Sequence, residues 1–434
     1  MNNYTGKITI FVLLTLFGLS TRLSADQNEV MALRETVDVL TKKLAAVEQR
    51  LDGMGSKVEE ISKPSLDHEG HMIPREEQAG GLLHAVQDIN VGGHIDTQWN
   101  NNFRQPFGTA GTNTGRIFDN DDGSFNVNAA EIWFENLPEE AGQGGYRVNL
   151  AFGDDTGVVA ADGLTGDSVD LQEAYVQYIA PLNFFEGNPV LPDDVKLTAG
   201  RFATLAGAEV IEGPNNWNIS RSFMFGFAIP FTHTGVRANF GLFNDFIDAY
   251  IGANNGWDRA VDNNSFKTLE AAGGYSPIEN VKLFHAFYWG GEKPGNPAGK
   301  RWVLTNVATY DVTDKLSVMG EFDYGTERGN ADPAFDPAFQ TWDAHWWGFA
   351  GYAKYQLTDK VALAYRGEIF IDDTVFRTAF ATDRMFEQTL TAEYKLTEQM
   401  IARAEFRHDK ANDDSPFGGS SSQTTIGAQL LYLI

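Results

Sequence analysis

From residue 88 to the last residue the chain alternates apolar and polar side chains with a period of two, over and over. In the first such segment Ile89, Val91, Gly93, Ile95, Thr97, Trp99 and Phe103 alternate with Asn90, Gly92, His94, Asp96, Gln98, Asn100 and Asn102. At about 15 residues it is longer than the strands of an ordinary globular sheet. Comparable segments lie near 125–136, 144–153, 168–180, 193–203, 232–243, 246–254, 265–275, 281–290, 301–310, 315–325, 345–355, 361–371, 386–396, 400–408 and 425–434, sixteen in all. The connections alternate in length. Long ones span 104–124, 154–167, 204–231, 255–264, 291–300, 326–344, 372–385 and 409–424; the shortest are Asn244-Asp245, 311–314, 356–360 and 397–399. An even strand number with this asymmetry predicts an all-β, 16-stranded antiparallel transmembrane barrel, with loops at one end and tight turns at the other. A propeller or sandwich would supply many strands without that alternation.

Composition agrees by exclusion. Past residue 20 no apolar run approaches the ~20 residues of a spanning helix. Hydrophobic residues at 42% are too many for a disordered chain. A formal charge of −26 makes the chain a poor ligand for nucleic acid. The absence of cysteine excludes disulfides and thiolate metal sites.

The N-terminus reads as an export signal over 1–25: Lys7, an apolar stretch Ile8 to Leu19, and Leu23-Ser24-Ala25 before Asp26. An uncleaved anchor is the alternative. Over 26–62 a heptad seam follows, with Val30, Leu33, Val37, Leu40, Leu44, Val47, Leu51, Met54, Val58 and Ile61 spaced 3,4. It predicts a self-associating periplasmic coiled coil, weakened by Gly53 and Gly55 and ended by Pro64; the alternative is an amphipathic helix on its own chain. Residues 63–87 read as a linker and 88–434 as the barrel.

A hairpin unit repeats. Tyr310-Asp-Val-Thr-Asp-Lys-Leu316 recurs as Tyr355-Gln-Leu-Thr-Asp-Lys-Val361 and Tyr394-Lys-Leu-Thr-Glu-Gln-Met400. Each copy is a strand end, a tight turn and a strand start, with the tyrosine placed for an interfacial girdle. Ile426, Ala428, Leu430, Tyr432 and Ile434 form an apolar face that runs to the end of the chain. It resembles the C-terminal assembly signal of outer-membrane proteins, with Ile434 in place of the usual aromatic.

Residues 195–242 carry a further resemblance. Leu197-Thr-Ala-Gly-Arg-Phe202, Gly207-Ala-Glu209, Ser220-Arg-Ser222 and Pro230-Phe-Thr-His-Thr-Gly-Val236 resemble the β-barrel porin-2, OmpL-like group over most of 88–434. That resemblance implies an outer-membrane channel and names no solute. The coiled coil resembles the periplasmic stalk of trimeric porins, which implies a homotrimer held by stalk and barrel contacts.

The longest connection, 204–231, is the third long loop, which in 16-stranded porins folds into the lumen. Here it carries Glu209, Glu212 and Arg221 with Trp217, Phe223, Phe225 and Phe227. Acid facing base across a constriction would set a transverse field; alternatively the aromatics pin the loop to the wall. Strand parity turns Arg237, Glu321, Asp323, Arg366, Glu368, Arg403, Glu405 and Arg407 toward the lumen, and leaves open whether His285 or Lys282 faces lipid. Lumen acids and bases nearly balance, and no lysine or arginine staircase marks a dedicated phosphate channel.

Nothing points to an enzyme: no histidine precedes a serine at the spacing of barrel phospholipases, and no G-x-S-x-G occurs. Asp119-Asn-Asp-Asp-Gly123 lacks Ca²⁺-loop spacing and reads as a solvated loop, with loose divalent-ion binding as the alternative. The expectation is a cofactor-free, lipid-embedded pore for passive diffusion of small hydrophilic solutes or ions. The rival is a plugged barrel that tethers the envelope through its coiled coil.

Overall fold

The computed structural model describes Lys42 and residues 89–434 apart from 105–110, 162–167, 183–186, 329–342, 379–381 and 414–415. The expected signal peptide, coiled coil and linker, Lys42 apart, lie outside the described residues. The strands are β1 (Asn90–Asn102), β2 (Gly111–Thr112), β3 (Asp121–Asp122), β4 (Phe125–Asn136), β5 (Gly144–Phe152), β6 (Val169–Pro181), β7 (Asp194–Ala203), β8 (Thr232–Leu242) and β9 (Ile247–Asn254). They continue with β10 (Thr268–Ile278), β11 (Val281–Lys293), β12 (Asn296–Thr313), β13 (Leu316–Glu327), β14 (Ala344–Gln356), β15 (Val361–Asp372), β16 (Arg384–Lys395), β17 (Met400–Ala411) and β18 (Ser422–Leu433). Sixteen of them close an antiparallel barrel in chain order; β2 and β3 pair separately within the first long connection.

Closure joins β1 to β18 from His94↔Leu433 to Asn102↔Thr425, and the Ile434 N–H donates to Gly93 O at 2.9 Å. The alternation sorts side chains as expected. Val91, Ile95, Val176, Val236, Ile251, Leu390 and Leu430 are exposed on the outer face, whereas Asp96, Glu131, Glu321, Arg366, Glu387 and Arg407 are buried on the inner one. Tyr178, Tyr310, Tyr355, Tyr394 and Tyr432 stand outward at the short-turn end, where an amphipathic ring bridges hydrocarbon and water. The repeated threonines have a local cause. Thr313, Thr358 and Thr397 each accept, through Oγ1, the N–H three residues on, at 3.1, 3.1 and 3.0 Å. This side-chain bond closes a turn that the ladder leaves unsatisfied.

Some boundaries differ from the sequence reading. The expected loop 291–300 is a continuation of β11 and β12 to a tight turn at Pro294-Gly295, with Gly295 at φ +67°. Glycine supplies the left-handed residue, so the ladder runs past a segment whose composition suggested a loop. On the short-turn side, β6 and β7 are joined by the longer connection 182–193. Register settles the β11 question: Lys282 shares the inner face with Phe284 and Tyr288, and His285 faces outward opposite Asn306, its Nδ1 at 2.8 Å from Asn306 Oδ1.

Candidate pore constriction

Loop 204–231 leaves β7 and packs inside the barrel, where its backbone is bolted to wall carboxylates and arginines. Thr204 and Leu205 meet the Tyr288 hydroxyl at 3.1 and 2.9 Å. The Ala208 N–H donates to Glu321 at 3.1 Å, and the same carboxylate accepts the Tyr352 hydroxyl at 3.1 Å. Arg403 donates to Gly213 O (3.1 Å) and Glu393 (2.9 Å). Glu405 accepts the N–H groups of Ile219 and Ser220 at 2.6 and 3.0 Å. Glu368 accepts those of Phe223 and Met224 at 2.8 and 2.5 Å. Arg407 donates to Arg221 O and to Asp409, both at 2.6 Å. A buried carboxylate that accepts two N–H groups both satisfies itself and orders the loop.

Arg366 is the centre of this set. Its guanidinium donates to Glu387 at 2.6 Å, to Glu209 at 2.5 Å and to Ser220 O at 2.7 Å, and its side chain is fully buried. Asp323 lies two residues beyond Glu321 on the same face, also fully buried. Glu209 completes its shell with the Ser222 N–H at 2.7 Å. The wall charges Glu321, Arg366, Glu368, Arg403, Glu405 and Arg407 are thus covered by the loop.

The loop charges themselves are arranged otherwise than as acid facing base across an open throat. Arg221 is 5% exposed and donates to three carbonyls of its own loop, Val210, Ile219 and Ile211, at 3.2, 3.0 and 2.6 Å. Its guanidinium also lies over the Phe118 ring at 5.3 Å. Arg221 therefore cross-braces the loop from within. Glu212 points to the opposite wall, where Gln172 of β6 donates to it at 2.8 Å. Phe223, Phe225 and Phe227 are buried with Phe118, Phe231 and Phe370, and Trp217 packs against the cluster from its edge. The aromatics pin the loop, as the alternative reading supposed.

The opposite wall stays partly open. The side chain of Arg147, paired with Glu135 and Glu173, is 19% exposed. Arg237 binds Glu270 through two nitrogens at 2.6 and 2.8 Å and lies over the Phe202 ring at 4.2 Å. Here Tyr175, Gln177, Lys196, Arg237, Asn239 and Tyr250 border a recess of about 270 Å³ between β6–β9 and the start of the loop.

Several contributors were missed in the sequence. Arg116, in the first long connection, pairs with Asp409 at 2.8 Å and with Asp119. The composition of 409–424 suggests a loop, but Asp409 continues the Glu405, Arg407 alternation and so shares their face. Two carboxylates of the acidic run are accordingly structural, since Asp119 is held by Arg116 and Asp122 accepts the Asn102 N–H at 2.6 Å, while Asn120 and Asp121 are exposed. Among the described residues no three His, Cys, Asp or Glu side chains converge as a metal site. Above the loop's exit, Asp258 accepts the N–H groups of Phe231 and Thr232 at 2.7 and 2.9 Å. Burial nevertheless pushes its carboxyl up to about 6. A raised carboxyl contributes fully below its unfolded value of about 3.9, and that contribution is lost as pH rises through about 6.

The profile described as "Putative beta-barrel porin-2, OmpL-like" matches residues 88–434, the whole barrel. The chain belongs to this porin family. Solved structures share the porin's fold at low identity. The channel DcaP of Acinetobacter baumannii has a TM-score of 0.53 at 12% identity, covering 80% of this chain and 97% of its own. The anion-selective porin of Comamonas acidovorans gives 0.51 at 11%, and a trimer form of OmpT from Vibrio cholerae 0.51 at 10%; each match covers 80% of this chain and 99% of the other. No curated protein sequence matches the chain. Family and fold place this OmpL-like porin in the bacterial outer membrane.

Proposed function

We propose that the barrel conducts small hydrophilic solutes and ions passively, past loop 204–231. One observation carries this reading: the loop is bolted to β11–β18, while the polar wall of β6–β9 keeps a recess of about 270 Å³ beside it. Fixed charges line that side in both signs, which suits ions and polar solutes without energy coupling. Glu209, Glu212 and Arg221 then act by holding the constriction's shape, and Arg237 and Lys196 lie where a solute passes. Purified protein in planar bilayers should give discrete single-channel steps. A folded, heat-modifiable barrel with no steps would favour the tethering role instead.

The heptad run over 26–62 supports a second part of the proposal. It holds copies together, as a homotrimer, in the periplasm. Deleting residues 28–62 should shift the detergent-extracted assembly toward smaller species while the barrel stays heat-modifiable. An unchanged size would remove the stalk from assembly.

A further inference from the structure

We propose that the outer face of β14–β17 binds a phosphorylated glycolipid of the outer leaflet, with a phosphate between Arg384 and Lys410 and an acyl chain in the groove below them. The assignment rests on the barrel's place in the outer membrane and not on which solute passes.

Charge on this face is of one sign. Phe349, Tyr365, Phe386 and Phe406 are exposed, which fixes the outward positions of their strands. Among the outward residues of β14–β18 there is no aspartate or glutamate, and the two with a permanent charge are Arg384 and Lys410. Both are exposed, and neither side chain pairs with another described residue. Asp383, next to Arg384 in the chain, already accepts from Asn412 at 2.6 Å. Lys410 stands opposite Phe386, two residues from Arg384. Diagonal neighbours of that kind lie ~7–8 Å apart, a gap that one phosphate spans with an oxygen toward each cation.

Their height fits a headgroup. Arg384 lies ten residues from Tyr394 of the short-turn girdle, and Phe386 eight. At a rise of ~3.3 Å per residue and a tilt of ~40°, these are roughly 25 and 20 Å above it, at the upper edge of a hydrocarbon band of ~25 Å. Tyr324 and Trp347 mark the same edge, and their cross-strand row continues through Ile371 to Arg384. A guanidinium therefore stands where the girdle would otherwise place a ring.

Below the cations the wall is hollow. Gly320, Gly351 and Gly367 lie directly opposite one another. A Cβ added at Gly320 would meet nothing within 4 Å, and at Gly351 only a Phe349 ring carbon at 3.9 Å. Nothing within the chain requires glycine at those two positions, although glycine weakens a strand. Beside them Phe349, Tyr365 and Phe386 border a groove of about 670 Å³ that has Lys410 at its upper end and Gln388 and His408 along its side. Gln388 is exposed and its side chain bonds no other described residue, while His408 meets Thr424 through Nδ1 at 2.8 Å. A bare acyl chain offers an amide no hydrogen bond. A glycolipid carries sugar hydroxyls and amide-linked chains just beneath its phosphate. Cations, then polar side chains, then an aromatic-sided trough repeat the order of groups in such a lipid from headgroup to tail.

The test uses the full chain in phosphatidylcholine bilayers containing a few per cent of bis-phosphorylated lipid A, with a chelator present so that no divalent ion bridges phosphate to carboxylate. After re-extraction in mild detergent, native mass spectrometry should show lipid A retained on the barrel. Arg384→Ala combined with Lys410→Ala should lower the retained fraction about tenfold with heat-modifiability intact. Lys300→Ala should leave it unchanged, because Lys300 also faces outward near the loop end but lies over the Phe266 and Trp289 rings, away from the groove. Gly367→Trp fills the groove from outside and should lower retention with both cations in place; should it fail to fold, Gln388→Leu should do so severalfold. No retained lipid A, or an equal loss from Lys300→Ala, would overturn the site. Undiminished retention in the groove variants would overturn the acyl-chain assignment. Phosphatidylglycerol retained as well as lipid A in matched bilayers would show that charge alone is recognised, and would overturn the glycolipid.

Discussion

Replacing Arg366 with leucine is expected to release loop 204–231 from the wall. The guanidinium is fully buried between Glu387 of β16 and Glu209 of the loop, and it also holds Ser220 O. Its removal leaves two carboxylates facing each other without a cation, in a place that water does not reach. Breaking such a buried pair from one side costs about 3–5 kcal/mol. The unfolding midpoint in denaturant should fall, and the loop should become cleavable by added protease in a barrel that still resists it. Arg366→Lys should lie between the two, because an ammonium restores the charge without the planar fork that reaches three oxygens at once. A leucine variant with unchanged stability and a protected loop would show that the carboxylate-to-backbone bonds of Glu368 and Glu405 suffice alone.

Excising residues 206–229 behind a short glycine linker should raise single-channel conductance severalfold. A barrel of sixteen strands encloses an aqueous lumen when nothing folds into it. Here that lumen holds Phe223, Phe225, Phe227 and Ile229, packed with Phe118, Trp346 and Phe370. Each such side chain stabilises the fold by roughly 1.5–3 kcal/mol when buried, so the excised barrel should also melt earlier. Steps of the original size in planar bilayers would locate the main resistance elsewhere, for example at the first long connection, where Arg116 and Phe118 also reach inward.

Arg221 shows how a loop charge can be engaged by its own backbone. A lone arginine among two glutamates on the longest loop suggests a selectivity residue. Its three donors instead go to carbonyls of the same loop, 2 to 11 positions away. A tightly folded loop of 28 residues has many backbone acceptors and few means of satisfying them. An arginine with a rigid fan of donors serves that need before it serves a solute.

Period-two alternation, read alone, determined the strand count, the closure in chain order and the side of the wall on which the charged strand residues stand. Arg237, Glu321, Asp323, Arg366, Glu368, Arg403, Glu405 and Arg407 all fall on the inner face. The reason is local: successive strand residues point to opposite faces, and a one-residue slip would send every charge into lipid. Strand ends were less legible, because the ladder continued through Gly291–Lys293 and through Asp409, where composition signals a loop but hydrogen bonding still favours a partner. What only the tertiary structure decided is the pairing across the lumen. Glu368 meets Phe223, Arg366 meets Glu209 and Arg403 meets Gly213 over 145 to 190 residues of chain. Parity states that a side chain points inward; it carries no distance between elements so far apart in sequence. Which inward charge meets the loop, and which meets water, depends on where a flexible connection comes to rest, and that is set by the apolar cluster it buries.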